Sequence, residues 1–294
     1  MKKIDVHVHS SMWKNTPSAP GRYFITAEEL RESYDALGIE KGILMPLIGT
    51  EAQYTSQSNE EAEYLAKNHP ETYAWCCNVD PRMGKNTPAT DFTTMLEYYK
   101  QHGVVGVGEL TAKIPTDDPL LDNLFYHCAE CDMPVTVHIA PGRGGTYGII
   151  DECGLPRLEK MLNKYPKLKI VGHSQCFWSH ISADVDESSW TGYPKGKVIE
   201  GRISELMRCY PNLYCDLSAD SGFTAISRDP DFSARFIDEF GERIMFGTDI
   251  VRPGQTSKLS AWLDEAHAAG LMSDENYANI CRENAIKIFN LSRE

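Results

Sequence analysis

Two histidines near the amino terminus have the spacing of a metal-binding pair. In Asp5-Val6-His7-Val8-His9, residues two apart on a strand point to the same side, so His7 and His9 could supply half of a tetrahedral site. Histidines that serve only the core or the surface would give the same spacing. Asp5 faces the same side, where it either orients these ligands or makes a structural hydrogen bond.

Four more candidate ligands lie at the ends of apolar segments farther along the chain. They are Glu109 in Val-Gly-Val-Gly-Glu-Leu, His138 in Pro-Val-Thr-Val-His, His173 in Lys-Ile-Val-Gly-His and Asp249 in Ile-Met-Phe-Gly-Thr-Asp. Burying a histidine or a carboxylate is costly unless the group is paired or binds a metal. If all six groups share one rim, they suit one or two Zn²⁺ ions, with Mn²⁺ or Fe²⁺ as alternatives.

The elements that would position these groups alternate along the chain. Eight short apolar segments are separated by helical patterns, and near-continuous apolar segments are typical of parallel strands covered on both faces. We therefore predict an α/β fold, a (β/α)₈ TIM barrel with C-terminal helices, whose active site lies at the carboxyl ends of the strands. An open doubly wound sheet is the alternative, but no Gly-x-Gly-x-x-Gly follows the first strand. The predicted strands are Lys3–His7, Gly42–Leu47, Tyr73–Val79, Val104–Glu109, Pro134–His138, Lys169–His173, Leu213–Asp216 and Arg243–Phe246.

Capping boxes and long connections define the rest of the predicted architecture. Thr26 with Glu29, and Ser58 with Glu61, indicate two helix starts. Two long loops leave the carboxyl ends of strands 1 and 6, and we expect them to form pocket walls or lids, with plain surface excursions as the alternative. These loops are Ser10–Ile25 and Ser174–Ile199, and the further predicted helices are Thr90–Gln101, Leu120–Cys131, Thr256–Ala269, Ser273–Glu283 and Ala285–Leu291.

Composition narrows the classes of partner. The 294 residues carry a formal charge of −13, which disfavours nucleic acid as a partner, although local arginines could still bind a small anionic substrate. No apolar run reaches the roughly 18 residues of a membrane span, and no signal-peptide pattern is present, so we expect a cytoplasmic protein without a membrane partner.

The nine cysteines, including Cys128 and Cys131, lack the second pair of a zinc ribbon and are predicted to be reduced and mostly buried. We expect one domain over residues 1–294, and a homodimer remains open.

As an ordered set, these motifs resemble the amidohydrolase superfamily, and within it the amidohydrolase-related group that contains hydrolases and aromatic-acid decarboxylases. The resemblance covers nearly the whole chain. It rests on Asp5–His9, Glu109, His138, Val171–His173, Phe246–Asp249 and Glu283-Asn284-Ala285 before the last helix.

The resemblance implies a role for each ligand. His7, His9 and Asp249 would bind one metal, which His138 joins in single-metal members, leaving His173 as an acid or base near the ion. In two-metal relatives a carboxylated lysine or a glutamate bridges the ions; here Glu109 would do so, with His138 and His173 holding the second ion. Alternatively, Glu109 orients water or substrate without touching metal. Asp249 would take a proton from the attacking water and pass it to the leaving group, and His173 would stabilise the oxyanion or supply a proton.

Substrate contacts are predicted from two loops. Arg143 lies in a glycine-rich loop after His138, and Arg252 lies three residues after Asp249; either could bind a carboxylate. Asp216, Ser218 and Asp220 follow strand 7 and would make polar pocket contacts or cap a loop. The histidines on predicted helices or helix ends are expected to be structural: His69, His102, His127 and His267.

The leading function is a metal-dependent hydrolase of a small cyclic or carboxylated substrate with an amide, lactone or ester bond. Its closest alternative is a non-oxidative decarboxylase or hydratase that uses a very similar site. A metal-dependent deoxyribonuclease is disfavoured by the charge of −13, and a barrel that binds metal or ligand without turnover is the non-enzymatic alternative.

Overall fold

The computed structural model describes residues 1–51, 55–144 and 146–293. Nine strands form one parallel sheet in the order β1-β2-β3-β4-β5-β7-β8-β9, with β6 paired to β5 outside this path. The strands are β1 (Lys3–Val8), β2 (Ile39–Leu44), β3 (Tyr73–Cys77), β4 (Val104–Leu110), β5 (Val135–Pro141), β6 (Ile149–Asp151), β7 (Ile170–His173), β8 (Leu213–Asp216) and β9 (Ile244–Met245).

The sheet closes on itself between its first strand and the segment after its last. Val6 N donates to Phe246 O at 3.1 Å, and His9 N donates to Ile250 O at 3.0 Å. These bonds complete an eight-stranded barrel, so the (β/α)₈ prediction is confirmed and the open sheet is wrong. The short strand β6 was not predicted.

Helices surround the barrel and follow its strands in sequence. They are α1 (Ala27–Leu37), α2 (Asn59–Asn68), α3 (Thr93–Gln101), α4 (Pro119–Glu130), α5 (Pro156–Lys164), α6 (Gln175–Trp178), α7 (Arg202–Cys209), α8 (Ala219–Ser227), α9 (Pro230–Phe240), α10 (Lys258–Ala268), α11 (Asp274–Ala278) and α12 (Asn284–Phe289). A π-helical turn, Asn279–Glu283, joins the last two. None of the described helices has the length and apolar character needed to cross a membrane.

The predicted helix starts are only partly reproduced. At α1 the full capping box forms, because Thr26 accepts from Glu29 N while Glu29 accepts from Thr26 N. At α2, Ser58 accepts from Glu61 N, but the Glu61 carboxylate instead accepts from Ser11 Oγ and Met12 N, each at 2.9 Å. Glu61 therefore ties the loop after β1 to α2.

The long loop predicted after the sixth strand, Ser174–Ile199, begins with helical turns. That segment contains α6 and a 3₁₀ turn, Ser179–Ile181, and its Trp178, His180 and Trp190 are buried. His180 is structural: Nδ1 donates to Cys176 O at 2.8 Å, and Nε2 accepts from Gly154 N at 2.8 Å.

Apolar packing fills the barrel towards the start of its strands. Ile4, Val6, Ile43 and Met245 pack with α12 in one buried cluster, and seven of the nine cysteines are buried and free, Cys128 and Cys131 among them. Because this end is occupied by hydrocarbon, the polar groups of the strands are left for the opposite, carboxyl-terminal mouth.

Candidate metal centre at the barrel mouth

All six predicted ligands converge at the carboxyl ends of the strands. They form two groups whose donor atoms lie within 4.8 Å of one another: His7 with His9 and Asp249, and Glu109 with His138 and His173. Five of the six are buried, and the side chain of Asp249 is 25% exposed. The cluster is thus shielded by the barrel and open to solvent on the Asp249 side.

The first group has the spacing of ligands around one ion. His7 Nε2 lies 3.1 Å from His9 Nε2, and Asp249 Oδ1 lies 3.9 and 3.5 Å from these two atoms. Zinc–ligand bonds of about 2.0–2.1 Å in a tetrahedron separate neighbouring donors by roughly 3.3 Å. The observed separations fall around that value, so this donor set fits a divalent cation.

Glu109 faces both groups, one oxygen to each. Its Oε2 lies 3.8 Å from His7 Nε2 and 3.6 Å from His9 Nε2. Its Oε1 lies 3.7 Å from His173 Nε2 and 2.6 Å from His138 Nδ1. The 2.6 Å contact is a direct hydrogen bond, shorter than the separation of two ligands on one ion, so the second group is less ready for a cation than the first.

Hydrogen bonds at the far nitrogen orient three of the rings. His7 Nδ1 lies 2.7 Å from Asp216 Oδ2, and His9 Nδ1 lies 2.7 Å from Met45 O. His173 Nδ1 lies 3.0 Å from Ser218 Oγ. Holding Nδ1 in this way leaves each Nε2 directed into the site, the arrangement that metal-binding histidines commonly show.

The buried charges favour a cation at this position. Burial raises the pKa of Glu109, but His138 and His7 outweigh burial and hold it well below its usual range. Burial lowers the pKa of His7, yet Glu109 and Asp216 raise it well above its usual value. Burial and the neighbouring His7 lower the pKa of His9. Carboxylates that draw a proton onto a buried imidazole would equally attract a metal ion.

Asp5 fastens the two segments that carry the first group. Its Oδ1 accepts from His7 N at 3.0 Å and from Thr248 N at 2.8 Å, and its Oδ2 accepts from Tyr34 Oη at 2.7 Å. Asp249, the next residue, adopts a left-handed φ of +54° and donates its N–H to His7 O at 2.8 Å. The two roles considered for Asp5, orienting the ligands and making a structural hydrogen bond, are therefore compatible, because its hydrogen bonds position His7 and Asp249.

The two predicted arginines occupy different surroundings. Arg252 lines a cavity of about 460 Å³ that also contacts Asp249, Asp220 and Lys258. Gln255 holds this turn, because its Oε1 accepts from the N–H groups of Val251 and Arg252, each at 2.9 Å. Arg143 is exposed and donates to Glu187 O at 3.4 Å, and Gly145 of its loop lies outside the described residues.

Lys113 and the histidines on predicted helices lie outside the cluster. Lys113 donates to Thr146 O and, at 3.2 Å, to Thr146 Oγ1, so its amine is engaged in a loop contact. His102 binds Glu63, His127 binds Thr93 and His267 binds Asp274, each at 2.6–2.7 Å. These contacts agree with a structural role for the helical histidines.

Two residues of the site gained no specific role from sequence reasoning. Asp216 was left between a pocket contact and a loop cap, and it does both, since it accepts from His7 and from Ser218 N at 2.8 Å. Tyr147 follows the glycine-rich loop of Arg143, and its ring packs on His138 with 4.5 Å between centroids. A polar residue that directly follows a candidate strand was the available signal for Asp216.

Structures of similar fold come from several bacteria, at identities that establish the fold alone. An uncharacterized TIM-barrel protein from Bordetella bronchiseptica superposes with a TM-score of 0.65 and 16% identity, covering 99% of each chain. A probable 2-pyrone-4,6-dicarboxylic acid hydrolase from Acinetobacter baumannii, with citric acid bound, gives 0.61 and 14%, covering 99% of this chain and 100% of that one. A 2,6-dihydroxybenzoate decarboxylase from Rhizobium gives 0.61 and 16%, covering 98% of each.

Sequence families give the stronger result. No curated protein matches the chain, whereas the family model described as Amidohydrolase matches residues 4–291. That family includes both hydrolases and decarboxylases. Since the match spans almost every residue of the barrel, including all six candidate ligands, the chain belongs to the amidohydrolase family.

Proposed function

We propose that this protein is a metal-dependent hydrolase that cleaves an amide, lactone or ester bond in a small cyclic or carboxylated substrate. The observation that carries the proposal is the position of Glu109, whose two oxygens face two separate groups of histidines at the barrel mouth. In the family that the sequence resembles, a bridging carboxylate belongs to two-metal relatives, which are mostly hydrolases.

His7, His9, Asp249 and Glu109 would hold the first cation, with Zn²⁺ the best match to this donor set and Mn²⁺ or Fe²⁺ as alternatives. His138 and His173 would hold a second ion only after the bond between His138 and Glu109 opens. A bound cation of this kind makes water a stronger acid, with a pKa near about 7, and polarises a carbonyl.

Asp249 and His173 would transfer the protons of the reaction. Asp249 is the most exposed ligand and borders the cavity that Arg252 lines, so its carboxylate can accept a proton from the attacking water and pass it to the leaving group. His173 is buried beside Glu109 and supplies a proton when it binds no metal. Arg252 would bind a substrate carboxylate in this cavity, and Arg143 would reach the substrate only if its loop contact changes.

The same cavity supports a second candidate, a decarboxylase. Arg252 and Lys258 both line the space next to Asp249, so a substrate carboxylate could lie close to the ion instead of remote from it. In that arrangement the carboxylate would be the group that leaves, and the product would be CO₂.

The experiment screens zinc- and manganese-loaded protein against lactones, aryl esters, cyclic amides and aromatic acids. Acid release at constant pH reports hydrolysis, and CO₂ release reports decarboxylation. Turnover of a lactone, ester or amide that is lost in His7→Ala and retained in His267→Ala supports the proposal. Turnover confined to CO₂ release would replace it with the decarboxylase, and an absence of both with metal bound would leave a binding protein.

A further inference from the structure

The loop between β5 and β6 carries an aromatic residue onto the candidate metal centre. The ring of Tyr147 packs against the ring of His138, with centroids 4.5 Å apart and an interplanar angle of 40°. His138 in turn bonds Glu109 at 2.6 Å. Tyr147 therefore lies one side chain away from the group that faces both halves of the site.

We propose that the Tyr147 hydroxyl is a catalytic hydrogen-bond donor, which binds the substrate oxygen that becomes negative during hydrolysis. The proposal rests on the hydrolytic function proposed above and adds a residue to it. The class of group that this hydroxyl recognises is a carbonyl oxygen in the ground state and a tetrahedral oxyanion afterwards.

Anchors on both sides fix the position of Tyr147. On one side, Lys113 Nζ donates to the backbone and hydroxyl oxygens of Thr146. On the other, Gly148 N donates to Thr111 O at 3.1 Å. Gly148 has a φ of +124°, and a Cβ there would lie 2.5 Å from His138 O, so only glycine lets the loop approach β5 this closely. A donor that is already in place loses little when a substrate binds.

The Tyr147 hydroxyl makes no structural hydrogen bond within the described residues. Two buried tyrosines of the barrel do make such bonds: Tyr34 donates to Asp5 and Tyr73 donates to Ser10, each at 2.7 Å. Because Tyr147 is only partly buried, a substrate oxygen that enters the site can replace water as the acceptor of this hydroxyl.

A phenol is an uncharged donor at neutral pH, so the Tyr147 hydroxyl can approach an oxyanion without competing with the cation for the carboxylate ligands.

The test uses zinc-loaded protein and methylphosphonate, a stable tetrahedral oxyanion, as the probe. Calorimetry gives its dissociation constant for the wild type, for Tyr147→Phe and for a matched control, Tyr98→Phe. Tyr98 also packs on a histidine, His102, with centroids 4.2 Å apart, but it is half exposed on α3. Zinc content and melting temperature are measured for all three.

We expect Tyr147→Phe to weaken phosphonate binding about 10-fold or more, as expected for one hydrogen bond to a charged acceptor, while zinc content stays unchanged and Tyr98→Phe binds within about twofold of wild type. On any ester or lactone found in the substrate screen, Tyr147→Phe should lower kcat about 100-fold with KM little changed. The conservative substitution keeps the ring, so the packing on His138 is preserved.

Equal phosphonate affinity in wild type and Tyr147→Phe overturns the proposal and leaves the hydrolase function standing. Failure of the zinc-loaded wild type to bind phosphonate, in a protein that still turns over an ester, also overturns it without touching that function. If the protein bound no zinc, or turned over no substrate at all, the result would instead contradict the proposed function.

Discussion

His7 Nδ1 and Asp216 Oδ2 lie 2.7 Å apart, and both side chains are fully buried. Burial raises the pKa of Asp216, but His7 and His173 hold it below its usual range, so the carboxylate stays charged. It therefore holds one proton of His7 on Nδ1, so a metal ion needs to displace only the proton on Nε2 to bind there.

This pairing predicts the effect of Asp216→Asn on metal affinity. The amide can still accept from His7, but it lacks the charge that makes the imidazole a stronger ligand, so zinc affinity should fall about 10- to 100-fold. Competition with a chromogenic chelator measures it. Asp220→Asn, an exposed carboxylate after the same strand, is the control and should change affinity less than twofold. An unchanged affinity in Asp216→Asn would show that the charge of Asp216 does not strengthen His7 as a ligand.

Metal content separates the ligand histidines from the structural ones. We expect one equivalent of tightly bound zinc in the wild type, none in His7→Ala, and one in His267→Ala, since His267 binds only Asp274 on the surface. Elemental analysis after gel filtration gives the values. Zinc retained in His7→Ala would contradict the assignment of the first group. A second, weaker equivalent that disappears in Glu109→Gln would identify Glu109 as a bridge.

The sequence predicted the barrel and the six clustered groups because both follow from local pattern. Parallel strands buried on two faces are near-continuous apolar runs, and a histidine or acid at the end of such a run stands out. The strand β6 was missed because Ile149–Asp151 has three residues and pairs only with β5. The helix α6 was missed because four residues give no helical period.

The orientation of each ligand could not be predicted, because it depends on partners that are distant in the chain. The ring of His9 is set by Met45 O and that of His173 by Ser218, and neither relation leaves a spacing in the sequence. Which histidines each oxygen of Glu109 faces also depends on where β1, β5 and β7 lie around it. Tyr147 gained no role for the same reason, since only the folded loop brings it to His138.

The hydrogen bonds of Asp5 predict a difference in stability between two tyrosine variants. Tyr34, buried on α1, donates to Asp5, and Tyr34→Phe would remove one donor from a fully buried carboxylate. The free energy of unfolding should fall by about 1.5–3 kcal/mol, the range for hydrogen bonds to charged groups. Urea denaturation measures it, with exposed Tyr64→Phe on α2 as the control. If both variants unfold at the same urea concentration, the bond contributes nothing.

A buried lysine at the other end of the barrel predicts how stability depends on pH. Lys3 is 2% exposed, and its Nζ donates to Asp264 Oδ1 at 2.7 Å. Burial raises the pKa of Asp264, but the bonds from Lys3 and Tyr277 outweigh burial and lower it. An acid whose pKa is lowered by folding stabilises the protein above its unfolded pKa, and this stabilisation is lost as the pH falls through the folded value.

Asp264→Asn should therefore destabilise the protein by about 1–2 kcal/mol at pH 7, less than for a fully enclosed pair because Asp264 is half exposed. The difference from wild type should begin to shrink as the pH falls below about 4, the unfolded pKa of an aspartate, and should keep shrinking as the pH approaches the lower folded pKa. Urea titrations at pH 7, 5 and 3.5 test both statements, with exposed Asp238→Asn as the control. A difference that is constant with pH would mean that the charge of Asp264 is irrelevant.

Alanine substitutions at two glycines with positive φ compare the cost of backbone strain alone with the cost of strain plus a steric clash. Gly148 has a φ of +124° and a Cβ position 2.5 Å from His138 O, whereas Gly154 has a φ of +90° with no atom within 4 Å of its Cβ position. Gly154→Ala should cost only the strain of a left-handed alanine, about 1–2 kcal/mol. Gly148→Ala carries at least as much strain, because its φ lies farther from the left-handed helical region, and must also displace the loop from β5. We expect overpacking to add about 1–3 kcal/mol to that strain. Unfolding curves measure both, and because the displaced loop carries Tyr147 away from His138, Gly148→Ala should also lose phosphonate affinity that Gly154→Ala keeps. Equal costs in the two variants would mean that the loop yields freely, and that Tyr147 is not held in place by its close approach to β5.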